Sequence, residues 1–390
     1  MKIVADENMP CVREWFAGCG DVVTLPGRTL DAVALGAAEA LLVRSVTPVG
    51  RDLLHGSRVR FVGSATSGIE HIDTGYLRAA GISYAAAPGC NATAVVEYVL
   101  SCLCALDGVL EHLLAGGTVG VIGLGHVGAR LVRRLQALGI DCVGCDPFLD
   151  DRYRREAQGE GTGLPLRDLD TVLGADVVCC HTPLTTDGPY PTRHLLDARR
   201  LRQLRAGAVL INAGRGAVVD NAALSRVLGE RPDLRVVLDV WEGEPAIDRA
   251  LLDRIALATP HIAGYSWDGK VAGTRMVLEA FCGFFGLPLP EIGAGGSPVA
   301  VRIPPQTDSA TLLRAAVRAV YDVRRDDSAM RAALVACPRQ EIAAAFDRLR
   351  KNYPQRREIA ACAIENMDLF NAAEREWLRR LGFAVAAPAQ

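Results

Sequence analysis

The sequence predicts an α/β protein with two doubly wound parallel-sheet domains and a further C-terminal segment. Three observations carry that expectation. Short apolar, β-branched runs recur through residues 1–265, and the intervals between them can hold helices. One run leads into Gly123-Leu124-Gly125-His126-Val127-Gly128, and the run after it ends on an acid, Asp146. From about residue 306 onward, Ala/Leu-rich helical stretches alternate with Arg-rich ones.

Bulk properties bound the class. A chain of 390 residues can form two or three domains with proper cores. It is 50% hydrophobic and 23% charged, the profile of an ordinary globular protein. A formal net charge of −2 argues against nucleic acid or a membrane surface as partner. Met1-Lys2-Ile3-Val4-Ala5-Asp6 meets an acid at once, unlike a signal peptide, and no apolar run reaches the roughly 18 residues that span a bilayer. A cytoplasmic protein is expected. Several of the 12 cysteines fall in apolar runs, where a free thiol behaves as a small hydrophobe. Cys142-Val143-Gly144-Cys145 has a metal-like spacing but lies in a strand without a second Cys/His pair, so no metal is expected.

In chain order, residues 2–5, 21–25, 40–43, 60–63 and 82–86 read as strands of a small parallel domain. Two of their ends are polar: Arg44-Ser45-Val46-Thr47, and Ser64-Ala65-Thr66-Ser67-Gly68. Ligands bind at the carboxyl ends of strands in open α/β sheets. Hydroxyls there equally serve as helix caps, and both readings stay open. Pro88-Gly89-Cys90-Asn91 breaks the chain, and residues 92–106 read as a long apolar helix suited to link two domains.

The second unit begins with a strand at 118–122, then the glycine turn, a helix at 129–138 and a strand at 140–145. Glycines let the backbone approach a pyrophosphate, and the helix start supplies N–H groups and a positive dipole end. Asp146, 18 residues past Gly128, is placed to accept hydrogen bonds from ribose hydroxyls. Its charge repels a 2′-phosphate, and Asp146-Pro147-Phe148 has no adjacent Arg; Arg152 and Arg154 fall in a polar loop. NAD is therefore expected over NADP. Further strands are expected at 176–181, 208–213 and 236–240, with helices at 197–204 and 221–228. A helix at 270–285 passes back to the first domain, and the Gly/Pro-rich stretch 286–305 marks a boundary.

A dinucleotide site beside a second α/β lobe suggests hydride transfer. Oxidising a hydroxyl needs a base for its proton, a cation for a neighbouring carboxylate, and a partner for the base. Of seven His residues, His261 follows a strand end and a proline, Thr259-Pro260-His261. Glu244 follows the preceding strand end, and Arg215 the one before that. Each alone has a plain structural reading, as a hydrogen bonder, a loop acid or an ion-pair residue. Their order at successive strand ends, beyond a glycine fingerprint, favours a catalytic set.

The spacing Gly123-x-Gly125-x-x-Gly128 to Asp146, then His181-Thr182-Pro183-Leu184, Asn212-Ala213-Gly214-Arg215-Gly216, Leu238-Asp239-Val240-Trp241-Glu242-Gly243-Glu244-Pro245 and Thr259-Pro260-His261-Ile262-Ala263, resembles the D-2-hydroxyacid dehydrogenase family over residues 118–265. Asp6-Glu7-Asn8-Met9-Pro10, Val43 to Thr47, Gly89-Cys90-Asn91, Val95-Val96-Glu97-Tyr98 and Gly264-Tyr265 narrow the resemblance to a branch whose substrate is a small phosphorylated hydroxyacid. The resemblance implies two Rossmann-like domains: residues 1–92 with 266–288 as a flavodoxin-like substrate domain, and 93–265 as the NAD-binding domain. It further implies that residues 289–390 form a C-terminal α+β dimerisation domain of a homodimer.

Residue by residue, the resemblance implies that His261 is the acid/base, Glu244 its carboxylate partner and Arg215 the substrate-binding cation. Gly123, Gly125, His126, Val127, Gly128, Asp146, Thr182, Ala213, Gly214, Arg215, Asp239 and Gly264 would contact NAD. Ser45, Thr66 and Tyr265 would contact substrate, with Arg44 the local cation for its phosphate. Gly214 stands where some relatives carry Cys. A remoter source of phosphate-binding charge is Arg348/Arg350 or Arg356/Arg357 from a partner subunit, against the plainer reading of a solvated helix face. Two alternatives remain: a dehydrogenase for another 2-hydroxyacid such as 3-phosphoglycerate, or an NAD-sensing corepressor-like protein.

Overall fold

The structure, a computed structural model, describes residues 1–149, 164–293 and 296–384, so Arg152 and Arg154 lie outside the described residues. The chain divides into two compact units: Met1–Thr93 with Tyr265–Pro298, and Ala94–Gly264 with Val299–Gln390.

The first unit holds β1 (Lys2–Asp6), β2 (Asp21–Leu25), β3 (Ala40–Val43), β4 (Phe61–Ser64) and β5 (Ser83–Ala85). They form one parallel sheet in the order β2-β1-β3-β4-β5, the flavodoxin-like order. β3 and β4 are buried along their whole length, as in a sheet covered on both faces. The period of two is visible in β3. Ala40 and Leu42 join Ile3, Phe61 and Phe281 in one core, while Leu41 and Val43 join Leu35, Leu54 and Leu77 in another.

Phe281 comes from the helix Trp267–Phe285, which lies directly on β4: a Cβ added to Gly63 would meet Val277 Cγ1 at 2.4 Å. That helix starts three residues before the expected 270, because Ser266 caps it by accepting a hydrogen bond from the Gly269 N–H at 2.9 Å. Lys270 consequently lies in the first turn.

The second unit holds β6 (Thr118–Ile122), β7 (Asp141–Cys145), β8 (Val177–Cys180), β9 (Val209–Asn212), β10 (Arg235–Leu238) and β11 (Leu257–Ala258). The parallel order is β11-β10-β9-β8-β6-β7. Strand order reverses at β6, and this is where open α/β sheets place their ligands. The glycine turn leaves β6 at that point.

Residues from 299 onward do not build a core wholly their own. Met330, Leu334 and Phe346 join Leu251, Leu252 and Ile255 in the main core of the second unit. This stretch contributes the helices Ser309–Val320, Val323–Leu334, Ile342–Lys351 and Ala372–Leu381, together with the parallel pair β12 (Val299–Val301) and β13 (Cys362–Ile364). At three residues each, those strands are too short to leave a periodic trace in the sequence.

All 12 cysteines are free thiols. Cys142 and Cys145 are three apart in β7, so they point to opposite faces of the sheet. Among the described residues, no helix is long and apolar enough to cross a membrane.

Candidate active site

The glycine turn is shaped by contacts that exclude side chains. Gly123 has φ +87°, and a Cβ there would lie 2.9 Å from the Thr182 backbone nitrogen. Gly128 is tighter still, with its added Cβ 2.0 Å from the Gly123 carbonyl oxygen. The helix His126–Ala137 begins inside the fingerprint, three residues before the expected 129, with Gly125 at its N-cap. A glycine cap has no side chain to bond the first-turn N–H groups, which stay available to an anion. A Cβ on Gly125 meets nothing within 4 Å, and both Gly125 and His126 are exposed. Gly128→Ala is expected to lower the thermal midpoint, at roughly 1–3 kcal/mol, and to abolish NAD binding. Thermal melts and an NADH fluorescence titration measure the two; unchanged NADH affinity would remove the close-packing argument.

Asp146 stands beside this turn. Its Oδ2 accepts the Leu124 N–H at 2.9 Å and its Oδ1 the Phe148 N–H at 3.1 Å. Opposite it, Thr182 Oγ1 and both ring nitrogens of His181 are buried and unpartnered among the described residues. Burial lowers His181 to about 4, so its ring is neutral at pH 7. Open helix N–H groups, a carboxylate at the end of β7 and an unpaired buried hydroxyl fit a dinucleotide with free ribose hydroxyls.

The three expected catalytic residues sit on loops that brace one another. Asn212, buried at the end of β9, donates to the Arg215 carbonyl at 3.0 Å and accepts the Gly214 N–H at 3.2 Å. The next residue, Gly216, presses on the following strand's loop, since its Cβ would lie 2.1 Å from the Trp241 carbonyl. Trp241 then reaches both remaining loops. Its indole N–H donates to the Thr259 carbonyl at 3.0 Å, and its backbone N–H donates to Glu244 Oε2 at 3.1 Å. Glu244 Oε1 accepts a short hydrogen bond from His261 Nδ1.

An ionised carboxylate only accepts, so Nδ1 carries the proton and Nε2 is left as the acceptor that can face a substrate. The neighbouring acid, Glu242, is committed elsewhere: His194 Nε2 lies 2.7 Å from its Oε1 and Arg193 at 3.8 Å.

His261 has φ +57°, a left-handed backbone that non-glycine residues adopt at a cost. Asp239 holds it there. The Asp239 carboxylate, 1% exposed, accepts from Thr259 Oγ1 at 2.7 Å and from the Ile262 and Ala263 N–H groups at 2.8 and 3.0 Å. Its backbone carbonyl accepts the His261 N–H at 2.7 Å. Asp239, expected at the cofactor, is thus also the brace of the histidine turn.

Burial by itself would raise the Glu244 carboxyl. The hydrogen bond and charge of His261, the Trp241 N–H and the charge of Arg350 outweigh burial and hold it below the usual carboxylate range. Arg350 lies in the last turn of the helix Ile342–Lys351 of the same chain. The Arg350 charge therefore acts on Glu244 within its own chain. Arg356 is likewise not a surface charge. It is 6% exposed, donates to the Ala94 and Ala263 carbonyls, and lies 4.0 Å from the Tyr321 ring centroid.

In the first unit the polar strand ends separate into two kinds. Thr47 is buried and donates to the Gly27 carbonyl at 2.9 Å, a purely structural bond, whereas Ser45 is exposed and Arg44 half-buried. Thr66 Oγ1 lies 2.8 Å from Ser64 Oγ and donates to the Gly68 carbonyl at 3.1 Å. Ser64 is backed in turn by His71 Nε2 at 3.0 Å, and burial lowers His71 below the usual histidine range. Tyr265 is half-buried, with Lys270 Nζ 5.6 Å from its ring centroid. Trp241, His71 and Lys270 escaped the sequence reading because their contacts are long-range and follow no local pattern. Ala213, Gly214 and Gly264 are all partly exposed at their strand ends.

A family model described as D-isomer specific 2-hydroxyacid dehydrogenase, NAD binding domain, matches residues 105–263, and one described as a domain of unknown function (DUF3410) matches 299–382. The chain is similar to the erythronate-4-phosphate dehydrogenase of Edwardsiella ictaluri, at 51% identity over 98% of this chain and 99% of that protein. That of Stutzerimonas stutzeri is 50% identical over 93% and 94%. Among solved structures, the NAD+-bound 3-phosphoglycerate dehydrogenase of Entamoeba histolytica matches 73% of this chain and 95% of its own with a TM-score of 0.60 at 22% identity. The TT0316 protein of Thermus thermophilus matches 74% and 99% with a TM-score of 0.59 at 24% identity. The structural likenesses carry the fold.

Proposed function

The chain belongs to the erythronate-4-phosphate dehydrogenases, within the D-isomer specific 2-hydroxyacid dehydrogenases, and from this we propose that it oxidises 4-phospho-D-erythronate with NAD to (R)-3-hydroxy-2-oxo-4-phosphobutanoate in a route to pyridoxal 5′-phosphate. NAD, when bound, accepts the hydride from C2 of the substrate. Gly123, Gly125, His126, Val127 and Gly128 would hold its pyrophosphate, Asp146 its adenosine ribose, and Thr182, Ala213, Gly214, Arg215, Asp239 and Gly264 the remainder.

The geometry of the Glu244–His261 pair supports the following roles for the chain's own residues. His261 Nε2 takes the proton from O2 of the substrate, while Nδ1 stays bonded to Glu244. The Glu244 carboxylate, held ionised, stabilises the imidazolium that forms and keeps the ring in one orientation. Arg215 grips the substrate's C1 carboxylate with its planar donor fork. Ser45, Thr66 and Tyr265 hold the hydroxylated chain, and Arg44 the phosphate. The observation that carries the reading is the bonded Glu244–His261 pair, one strand on from Arg215, in the unit that also carries the glycine fingerprint.

Residues 289–390 are proposed to form the interface of a cytoplasmic homodimer; exposed apolar side chains Val299 and Leu369 support this. Mixing the purified protein with NAD and 4-phospho-D-erythronate is expected to generate NADH absorbance strongly in preference to 3-phosphoglycerate. Preference for the latter would move the substrate assignment. NAD binding with neither acid oxidised would favour the sensor reading.

A further inference from the structure

We propose that Lys270 and Arg44 together form an anion subsite in the first unit, taking the phosphoryl group of the substrate, with Lys270 setting preference for a phosphorylated over an unphosphorylated acid. The substrate assignment rests on the function proposed above; the subsite itself rests on geometry. β3 and β4 are neighbours with Val43 opposite Ser64, so Arg44 and the turn at Ala65-Thr66 leave the same sheet edge side by side. The helix Trp267–Phe285 is pinned against that edge on either side of Lys270. A Cβ on Gly273 would meet the Ala65 carbonyl oxygen at 2.7 Å, and one on Gly269 the Cys90 carbonyl oxygen at 3.2 Å. The long side chain of Lys270 therefore emerges beside Arg44 and along Tyr265.

Neither cation has an ion-pair partner among the described residues. Burial, then the charge of Arg44, holds the Lys270 ammonium below the usual lysine range, and no carboxylate is among its influences. Two half-buried cations within electrostatic reach of one another and without a counter-ion repel, and a bound anion relieves both the repulsion and the burial. A phosphate monoester brings about −1.5 to −2 charge at neutral pH, which matches two cations where a carboxylate matches one. Arg supplies the planar fork and Lys the compact point charge, a complementary pair for tetrahedral oxygens.

The first test titrates the full chain, saturated with NAD so that the glycine turn is occupied, with inorganic phosphate in a calorimeter. Binding in the wild type, weakened roughly ten- to hundredfold in Lys270→Met and in Arg44→Gln and retained in Lys270→Arg, is the expected result. Absent binding in the wild type, or unchanged binding in Lys270→Met, overturns the subsite whatever substrate the enzyme turns over. The second test is kinetic. Lys270→Met is expected to raise KM for 4-phospho-D-erythronate by a similar factor, with a smaller change in kcat, and to spare KM for D-erythronate. Equal losses on both acids would make Lys270 a structural residue. Should the wild type oxidise neither acid, the proposed function fails while the phosphate titration still decides the subsite.

Discussion

Replacing His261 by Ala is expected to lower kcat for oxidation by roughly 10²- to 10⁴-fold while leaving NAD binding within a few-fold of wild type. The lost group is the proposed proton acceptor for O2, and neither neighbouring acid can take its place. Glu244 is low in basicity, held down by Arg350 and Trp241 as well as by the histidine, and Glu242 is occupied by His194 and Arg193. The glycine turn, Asp146 and Thr182, proposed to hold the cofactor, lie at other strand ends and keep their packing. Because His261 occupies a left-handed turn, His261→Asn is the better-folded companion variant, since Asn tolerates that backbone more readily than Ala. Stopped-flow NADH absorbance measures the loss. Wild-type rates in both variants would remove His261 from the chemistry.

Glu244→Gln is expected to cost roughly 10²- to 10⁴-fold in kcat and to shift the pH–rate profile, and its sign follows from charge. The folded carboxyl is depressed below its ordinary value, so the carboxylate and its contact with His261 persist at all pH above that value. They are lost only as pH falls through the depressed one. Across the working range the wild-type charge is therefore constant and favours the protonated ring. A neutral amide no longer does so. The acid limb of oxidation moves to lower pH in the variant, and the alkaline limb of the reverse reduction moves the same way. The rate falls because an amide can also donate, so Nδ1 need no longer carry the proton. A profile that stays in place would show that the pair does not act in catalysis.

Much of this architecture was legible beforehand. The strands Asp21–Leu25, Ala40–Val43 and Thr118–Ile122 have the bounds their apolar runs predict. Ala40–Val43 and most of Thr118–Ile122 are buried on both faces, and such a strand is a continuous apolar run bounded by polar residues, so its limits are local properties. The helices were read less well. The fingerprint helix and the Trp267–Phe285 helix each begin three residues early, because a glycine turn in one and the Ser266 cap in the other set the start without changing the apolar pattern.

By itself the sequence determined the two alternating α/β units, the glycine turn with its acid at Asp146, and the order Arg215, Glu244, His261 along successive strand ends. These depend on backbone freedom, hydrophobic period and residue type at fixed spacing, all written within a few residues. Only the tertiary structure decided the rest. Asp239 braces the histidine turn, Trp241 ties three loops together, Arg350 sets its charge near Glu244, and the charge of Arg44 acts on Lys270. The helices after residue 299 also complete the second unit's core rather than standing apart. Each of these joins positions tens to hundreds of residues apart, where packing and charge act through space and leave no periodic mark on the chain.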